Sequence, residues 1–324
     1  MVPLSVLDLS PIVEGGSPTE SFRNSLDLAR HAEQWGYRRF WLAEHHNIPS
    51  VASAATSVVI AHVAAGTSTI RVGAGGIMLP NHAPLLIAEQ FGTLEALYPG
   101  RIDLALGRAP GSDQLTAQAL RRSPAAGDAF PQDVAELMAF LRDAEPNQLV
   151  RAVPGAGTNV PIWILGSSLF GAQLAAYMGL PFAFASHFAP TYLMQAIEVY
   201  RSRFQPSEHL ERPRLMLGAQ IVAADTDGEA RYLFTSHQQS FVNLRRGRPM
   251  PIPPPVRDYT PDLTPIERAQ LEPMLAASFV GSADTVRRRL ETFVSDTGAD
   301  EIIVATQIFD HAARLRSYEI VAGM

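Results

Sequence analysis

Short apolar runs alternate with longer amphipathic ones almost from end to end, and this rhythm restricts the fold more than any single residue does. The short runs have too few polar residues for a strand with one wet face, as expected of a parallel sheet covered by helices. Leu4 to Leu9 predicts a first strand, and Pro18 to Trp35 a helix that Ser17 caps and Gly36 stops. Arg39 to Leu42 and Ser53 to Ala65 form a second pair, Ile70 to Ala74 and Pro84 to Leu97 a third, and Ile102 to Leu106 with Ala129 to Leu141 a fourth. Pro161 to Leu165 with Leu169 to Met178, and Phe182 to Ala185 with Thr191 to Phe204, continue the pattern. Leu215 to Ala223 with Gly228 to Asn243 is the seventh pair, and Glu301 to Ala305 with Ala312 to Ala322 the eighth.

Eight βα units in 324 residues predict an α/β protein with a single (β/α)8 TIM barrel spanning residues 1–324; a doubly wound sheet is the alternative. One irregular insertion interrupts the rhythm after the seventh unit. Between Arg245 and Pro265, Pro249, Pro251, Pro253, Pro254, Pro255 and Pro261 forbid regular structure, leaving either a lid or a surface excursion.

Composition removes several chemistries. All 26 residues counted as Lys or Arg are Arg, and Cys is 0. No Schiff base, P-loop lysine, thiol nucleophile, iron–sulfur cluster or cysteine zinc site can be built, so His, carboxylates, hydroxyls or a borrowed cofactor remain. Absence of cysteine fits a reducing cytoplasm. A net charge of -6 argues against nucleic-acid binding, and the short basic run Arg245-Arg246-Gly247-Arg248 reads as a solvated loop. No signal peptide and no membrane-spanning run is expected.

The strand-like run Phe40-Trp41-Leu42-Ala43 ends in Glu44-His45-His46, which delivers an acid and two imidazoles where α/β enzymes keep their chemistry. Side chains alternate along an extended segment, so one histidine can face a pocket while the other braces it, unless the pair makes only structural hydrogen bonds. The third strand runs into Gly75-Gly76, which permits close approach of a flat ligand or an unusual backbone; Met78 breaks a dinucleotide fingerprint. The fourth strand ends in Leu106-Gly107-Arg108-Ala109-Pro110-Gly111, an arginine placed for a phosphate or for a salt bridge. The fifth ends in Gly166-Ser167-Ser168 before a helix, suited to phosphate or to a simple cap. The sixth ends in Phe184-Ala185-Ser186-His187-Phe188, which could line a pocket for a ring system or pack in the core. No His-x-x-x-His or His-Glu-x-x-His spacing suggests a metal site.

With these segments in view, the chain closely resembles the luciferase-like flavin monooxygenases, the barrel family that includes the bacterial luciferase subunits. The resemblance runs through Trp41 to His46, Val72 to Pro80, Pro99 to Arg108 and Gly179-Leu180-Pro181, and so covers nearly the whole chain. It implies reduced FMN from a separate flavin reductase reacting with O2 to oxygenate a small organic substrate. His45 matches the family's catalytic histidine, Gly75-Gly76 its non-proline cis peptide beside the flavin, and Arg108 with Ser168 its phosphate contacts. Gly166 and Ser167 join that cofactor site, while His46, His187 and Phe188 are assigned to the substrate pocket. Gly107 and Ser167 stand where luciferase has a cysteine and a carboxylate, so light emission is not implied. Related barrels use F420 for hydride transfer, and a non-catalytic flavin-binding protein is a third reading that Glu44-His45-His46 opposes. The resemblance also implies a homodimer, for which Ala52-Ser53-Ala54-Ala55 could allow close helix approach.

Overall fold

The computed structural model describes residues 2–109, 113–259 and 262–324, so Pro110, Gly111 and Pro261 of the motifs above lie outside the described residues. In chain order the elements are β1 (Leu4–Asp8), α1 (Pro18–Gln34), β2 (Arg39–Leu42), α2 (Thr56–Ala65), β3 (Arg71–Met78), α3 (Pro84–Leu97) and β4 (Ile102–Gly107). Next come α4 (Gln114–Ala119), α5 (Phe130–Leu141), β5 (Ile162–Gly166), α6 (Leu169–Met178), β6 (Phe182–Phe184), α7 (Leu193–Arg203) and β7 (Leu215–Ala223). The last are α8 (Asp227–Arg245), α9 (Pro265–Ala276), β8 (Phe279–Gly281), α10 (Ala283–Thr297), β9 (Glu301–Ala305) and α11 (His311–Ala322).

Strands β1 to β6 pair in sequence, β6 pairs β7, β7 pairs β9 and β9 returns to β1, all in parallel. That closure makes a (β/α)8 barrel and excludes an open doubly wound sheet. Alternation along the strands divides the apolar side chains into two sets. Val6, Phe40, Leu42, Val72, Leu104, Ile164 and Leu217 join the helices in the outer core. Leu7, Trp41, Trp163, Met216 and Ile303 fill the barrel itself.

The seventh unit departs from the reading above. The last residues of β7 run on to pair with the short strand β8, Ile221 opposite Phe279. Helix α8 packs Ala230, Leu233 and Phe234 with Val222 and Ile308 in a cluster separate from the main core, against the end of β7. The covering helix is α10, whose Val286 and Leu290 belong to the main core. The stretch α8–α9–β8 is therefore an excursion at the C-terminal end of β7. Its proline-rich part is pinned rather than loose. Ile252 is buried and exchanges backbone bonds with the β1–α1 loop, its carbonyl accepting from the Glu14 N–H (2.8 Å) and its N–H donating to Ile12 O (2.9 Å). On the other side the Gln239 amide donates to Pro254 O at 3.0 Å.

The second helix also starts later than the sequence suggests. Ser53 donates to the carbonyls of Ala43 (2.6 Å) and Leu9 (3.1 Å), so Ala52 to Ala55 brace the end of β2 instead of forming a helix turn. Among the described residues no helix is long and apolar enough to cross a membrane.

Candidate functional site

The C-terminal end of β2 is organised on Glu44. Its carboxylate is almost fully buried and accepts from His46 Nε2 (2.8 Å), the Met78 N–H (2.8 Å), Asn81 Nδ2 (3.0 Å) and His82 Nε2 (3.0 Å). Burial alone would raise its pKa, but the hydrogen bonds and charge of His82, with the bonds from His46 and Asn81, hold it below the ordinary carboxylate value. A carboxylate accepts only, so both imidazoles must carry a proton on the Nε2 that faces it. His46 is thus the bracing member of the pair, and its bonding to Glu44 accounts for its position better than a ligand-lining role does. His45, half-buried, is the member left toward the barrel mouth, near enough for its charge to act on His187. Asn81 and His82 were missed in the sequence; the signal was their place just past Pro80, immediately beyond the glycine-bearing strand.

Gly75-Gly76 is a cis, non-proline peptide. Side chains are excluded at both positions: a Cβ on Gly75 would lie 2.7 Å from Leu7 Cδ1, and one on Gly76 would lie 2.5 Å from Ala105 O. The β3–β4 register shifts between Gly75 and Ile77, and the Glu44 N–H donates to Gly76 O at 3.3 Å, so this strand end is tied to the acid cluster. The mouth is lined by small residues: Ala43, Ala183 and Ala305 belong to the interior cluster beside Gly75. Small side chains therefore stand beside Gly75 on top of the bulkier Leu7 and Trp41 of the same cluster.

Arg108 and the start of α6 are brought together. The Arg108 guanidinium carbon lies 3.9 Å from the centre of the Phe170 ring, in the first turn of that helix. Among the described residues its contact with that ring is the side-chain interaction the structure gives it. Ser168 occupies the N-cap position without making a side-chain cap bond, which leaves its hydroxyl and the first helical N–H groups uncommitted beside that cation. Ser167 and Gly166 complete the strand end and are partly accessible.

His187 sits in a niche that only a glycine opposite permits, since a Cβ on Gly218 would lie 2.1 Å from His187 Nδ1. That nitrogen is buried without a hydrogen-bond partner. Burial pushes the His187 imidazole down to about 4, with the charges of His237 and His45 acting in the same direction. His237 is likewise lowered by burial; its Nδ1 faces Gln307 Oε1 at 2.9 Å, and its ring stacks between Phe234 and Phe241. His237 and Gln307 had no sequence signal, because they reach the mouth from two distant elements. Phe188 turns outward, where Arg245 lies over its ring. Among the described residues no group of three or more His, Cys, Asp or Glu could hold a metal ion.

Barrel enzymes build their sites at the C-terminal ends of the strands, and that is where Glu44, His45, Arg108 and His187 stand here. The chain belongs to the luciferase-like monooxygenase family, whose model matches residues 3–301. It is 56% identical to a luciferase-like monooxygenase of Escherichia coli K12 over 320 residues, 98% of this chain and 96% of that one. It is 36% identical over 257 residues to the N-acetyl-S-alkylcysteine monooxygenase of Bacillus subtilis, 76% of this chain and 75% of that one. Among solved structures, apo-MsnO8 superimposes with a TM-score of 0.89 at 35% identity, covering 100% of this chain and 98% of that one. Two more distant structures share the fold. One is the FMN-bound oxygenating constituent of 3,6-diketocamphane monooxygenase from Pseudomonas putida, at TM-score 0.74 and 18% identity over 99% of this chain and 96% of that one. The other is an F420-dependent secondary alcohol dehydrogenase, at TM-score 0.69 and 14% identity over 98% of this chain and 97% of that one.

Proposed function

We propose that this protein is a two-component monooxygenase, which takes reduced FMN from a separate flavin reductase and uses O2 to place one oxygen atom in a small organic substrate. The observation that carries the reading is the union of the glycine pair Gly75-Gly76 and its small neighbours with a cation stacked on Phe170 beside the uncapped helix start at Ser168. Those features fit a planar ring system ending in a phosphate. Arg108, Ser167, Ser168 and Gly166 would hold the phosphate, and Gly75 and Gly76 the ring. When bound, the flavin supplies the electrons and activates O2.

The protein's own part is binding, orientation and proton handling. His45 moves a proton at the mouth. Glu44 does not titrate in that role, because its carboxylate is fully engaged; with His46 and His82 it fixes the strand end from which His45 projects. His187, enclosed and neutral at pH 7, keeps a cation away from the ring site and offers a polar edge to substrate. The pinned excursion beyond β7 covers the same end and limits access of water. We also propose a homodimer through α2 and α3, where Val58, Leu86 and Leu97 are exposed; light scattering that gives a monomer mass at micromolar protein overturns it.

Oxygen uptake with FMN, NADPH and a flavin reductase tests the reaction. The relative's name makes N-acetyl-S-methylcysteine the first substrate to try, with isotopically labelled O2 reporting transfer of one atom. Turnover with reduced F420 and no use of O2 would instead make the protein a hydride-transfer enzyme. Flavin binding with no turnover on a broad panel of thioethers and ketones would leave it a flavin carrier.

A further inference from the structure

The end of the barrel opposite the mouth carries a second concentration of charge. A cavity of about 380 Å³ opens there, lined by Arg38, Arg39, Arg71, Arg142 and Arg214 together with Asp103. The carboxylates in reach are shared. Asp103 pairs with Arg39 and Arg71, each at 2.6 Å; Glu301 pairs with Arg39 (2.8 Å) and Arg214 (3.2 Å) and reaches Arg38 only at 4.0 Å. Glu208 serves Arg142. Five guanidiniums thus face three carboxylates, a surplus of two positive charges around one concavity.

The surplus falls on two residues. Arg38 has no ion pair closer than that 4.0 Å contact, and Arg214 uses one terminal nitrogen on Glu301. Burial, and next the like charge of Arg214, push the Arg38 guanidinium below its ordinary value, although it remains a cation. Trp163 forms the floor, with Arg39 and Arg214 each 5.1 Å from its ring centre, and Met138, Leu141 and Leu180 add an apolar wall. Guanidinium forks beside an aromatic floor and an apolar wall select an anion with some carbon body over a bare halide.

We propose that this cavity is a binding site for a small organic dianion, a phosphate monoester or a dicarboxylate, held chiefly by Arg38 and Arg214 and independent of the flavin reading. Occupation neutralises the surplus and clamps the bottoms of β2, β7 and β9, from which those two arginines and Glu301 project.

Isothermal titration with phenyl phosphate and with succinate, at ionic strength matched by sodium chloride, tests it. The protein variants are wild type, Arg108→Ala, Arg38→Gln and the double variant Arg38→Gln/Arg214→Gln. Saturable binding of one or both dianions is expected in wild type and in Arg108→Ala, whose mouth cannot then be the source. The Arg38→Gln change should weaken it about tenfold or more, as loss of a charge-assisted contact does, and the double change should remove it. Which of the two probes binds names the chemistry. Arg38 is partly exposed and lightly bonded, so its single variant folds and decides the matter even if the double variant does not. Absence of saturable binding, binding untouched by Arg38→Gln, or binding lost in Arg108→Ala overturns the proposal.

Discussion

Replacing Glu44 by Gln removes the charge around which the mouth is built while barely changing shape. The carboxylate accepts from four groups at 2.8 to 3.0 Å: His46, the Met78 N–H, Asn81 and His82. An amide offers one oxygen, so it can retain the Met78 bond and one neighbour, while its NH2 faces the remaining donors. Charge-assisted bonds contribute about 1.5–3 kcal/mol each and a stranded buried donor costs about 1–3 kcal/mol. Imidazole can recover part of this by changing tautomer, so the expected loss is about 2–5 kcal/mol. Urea unfolding at pH 7, followed by far-UV circular dichroism, measures it. The pH dependence gives a second check. The folded pKa of Glu44 lies below its ordinary value of 4.5, so its stabilisation is complete above that pH and is lost as pH falls through the folded value. Glu44→Gln should lack that acid slope. A loss under about 0.5 kcal/mol, the scale of an ordinary surface change, with the slope intact would refute the claim that Glu44 organises the mouth.

Three further outcomes follow from the geometry. Arg108→Ala should weaken FMN binding about ten- to a hundredfold and leave riboflavin, which has no phosphate, unchanged; equal weakening of both in fluorescence titrations removes Arg108 from that role. His45→Ala should bind reduced FMN almost as wild type does while oxygenation slows about 10²- to 10⁴-fold; unchanged single-turnover rates make the imidazole structural. Because His187 is held at about 4 and an unfolded histidine titrates near 6.5, the unfolded chain binds the extra proton between those values, and stability falls as pH drops from 6.5 to 4. That shift corresponds to no more than about 3–4 kcal/mol. Gly218→Ala, whose Cβ would stand 2.1 Å from the ring, should evict His187 and flatten this slope in denaturant titrations.

The barrel was legible because its strands are uniformly apolar and its helices well punctuated: Ser17 and Glu20 form the capping box of α1, and Pro84 opens α3. The excursion after β7 was legible only as a proline-rich insertion, not in its elements. Strand β8 has three residues, too few for periodicity, and in α10 only Val286, Leu290 and Val294 keep helical spacing among mostly polar neighbours. The prolines between Arg245 and Pro265 forbid regular structure but say nothing of the β1–α1 loop to which Ile252 is pinned. At the site, residues contiguous in sequence were readable: Glu44 with His46, and Gly75 with Gly76. Residues joined only by barrel closure were not, so His82 on Glu44, Gly218 opposite His187, and His237 beside Gln307 needed coordinates. The adjacency of Arg108 to the start of α6 lies between. Each suits an anion on its own sequence, and their meeting at Phe170 follows from β4 and β5 being neighbours.

Anaerobic titration with reduced FMN, run beside reduced riboflavin and reduced F420, tests the central claim most directly. The account predicts saturable, one-to-one binding of reduced FMN, weaker binding of riboflavin, and loss of that preference in Arg108→Ala. Tighter binding of F420 than of FMN, or no saturable flavin binding at all, would contradict it.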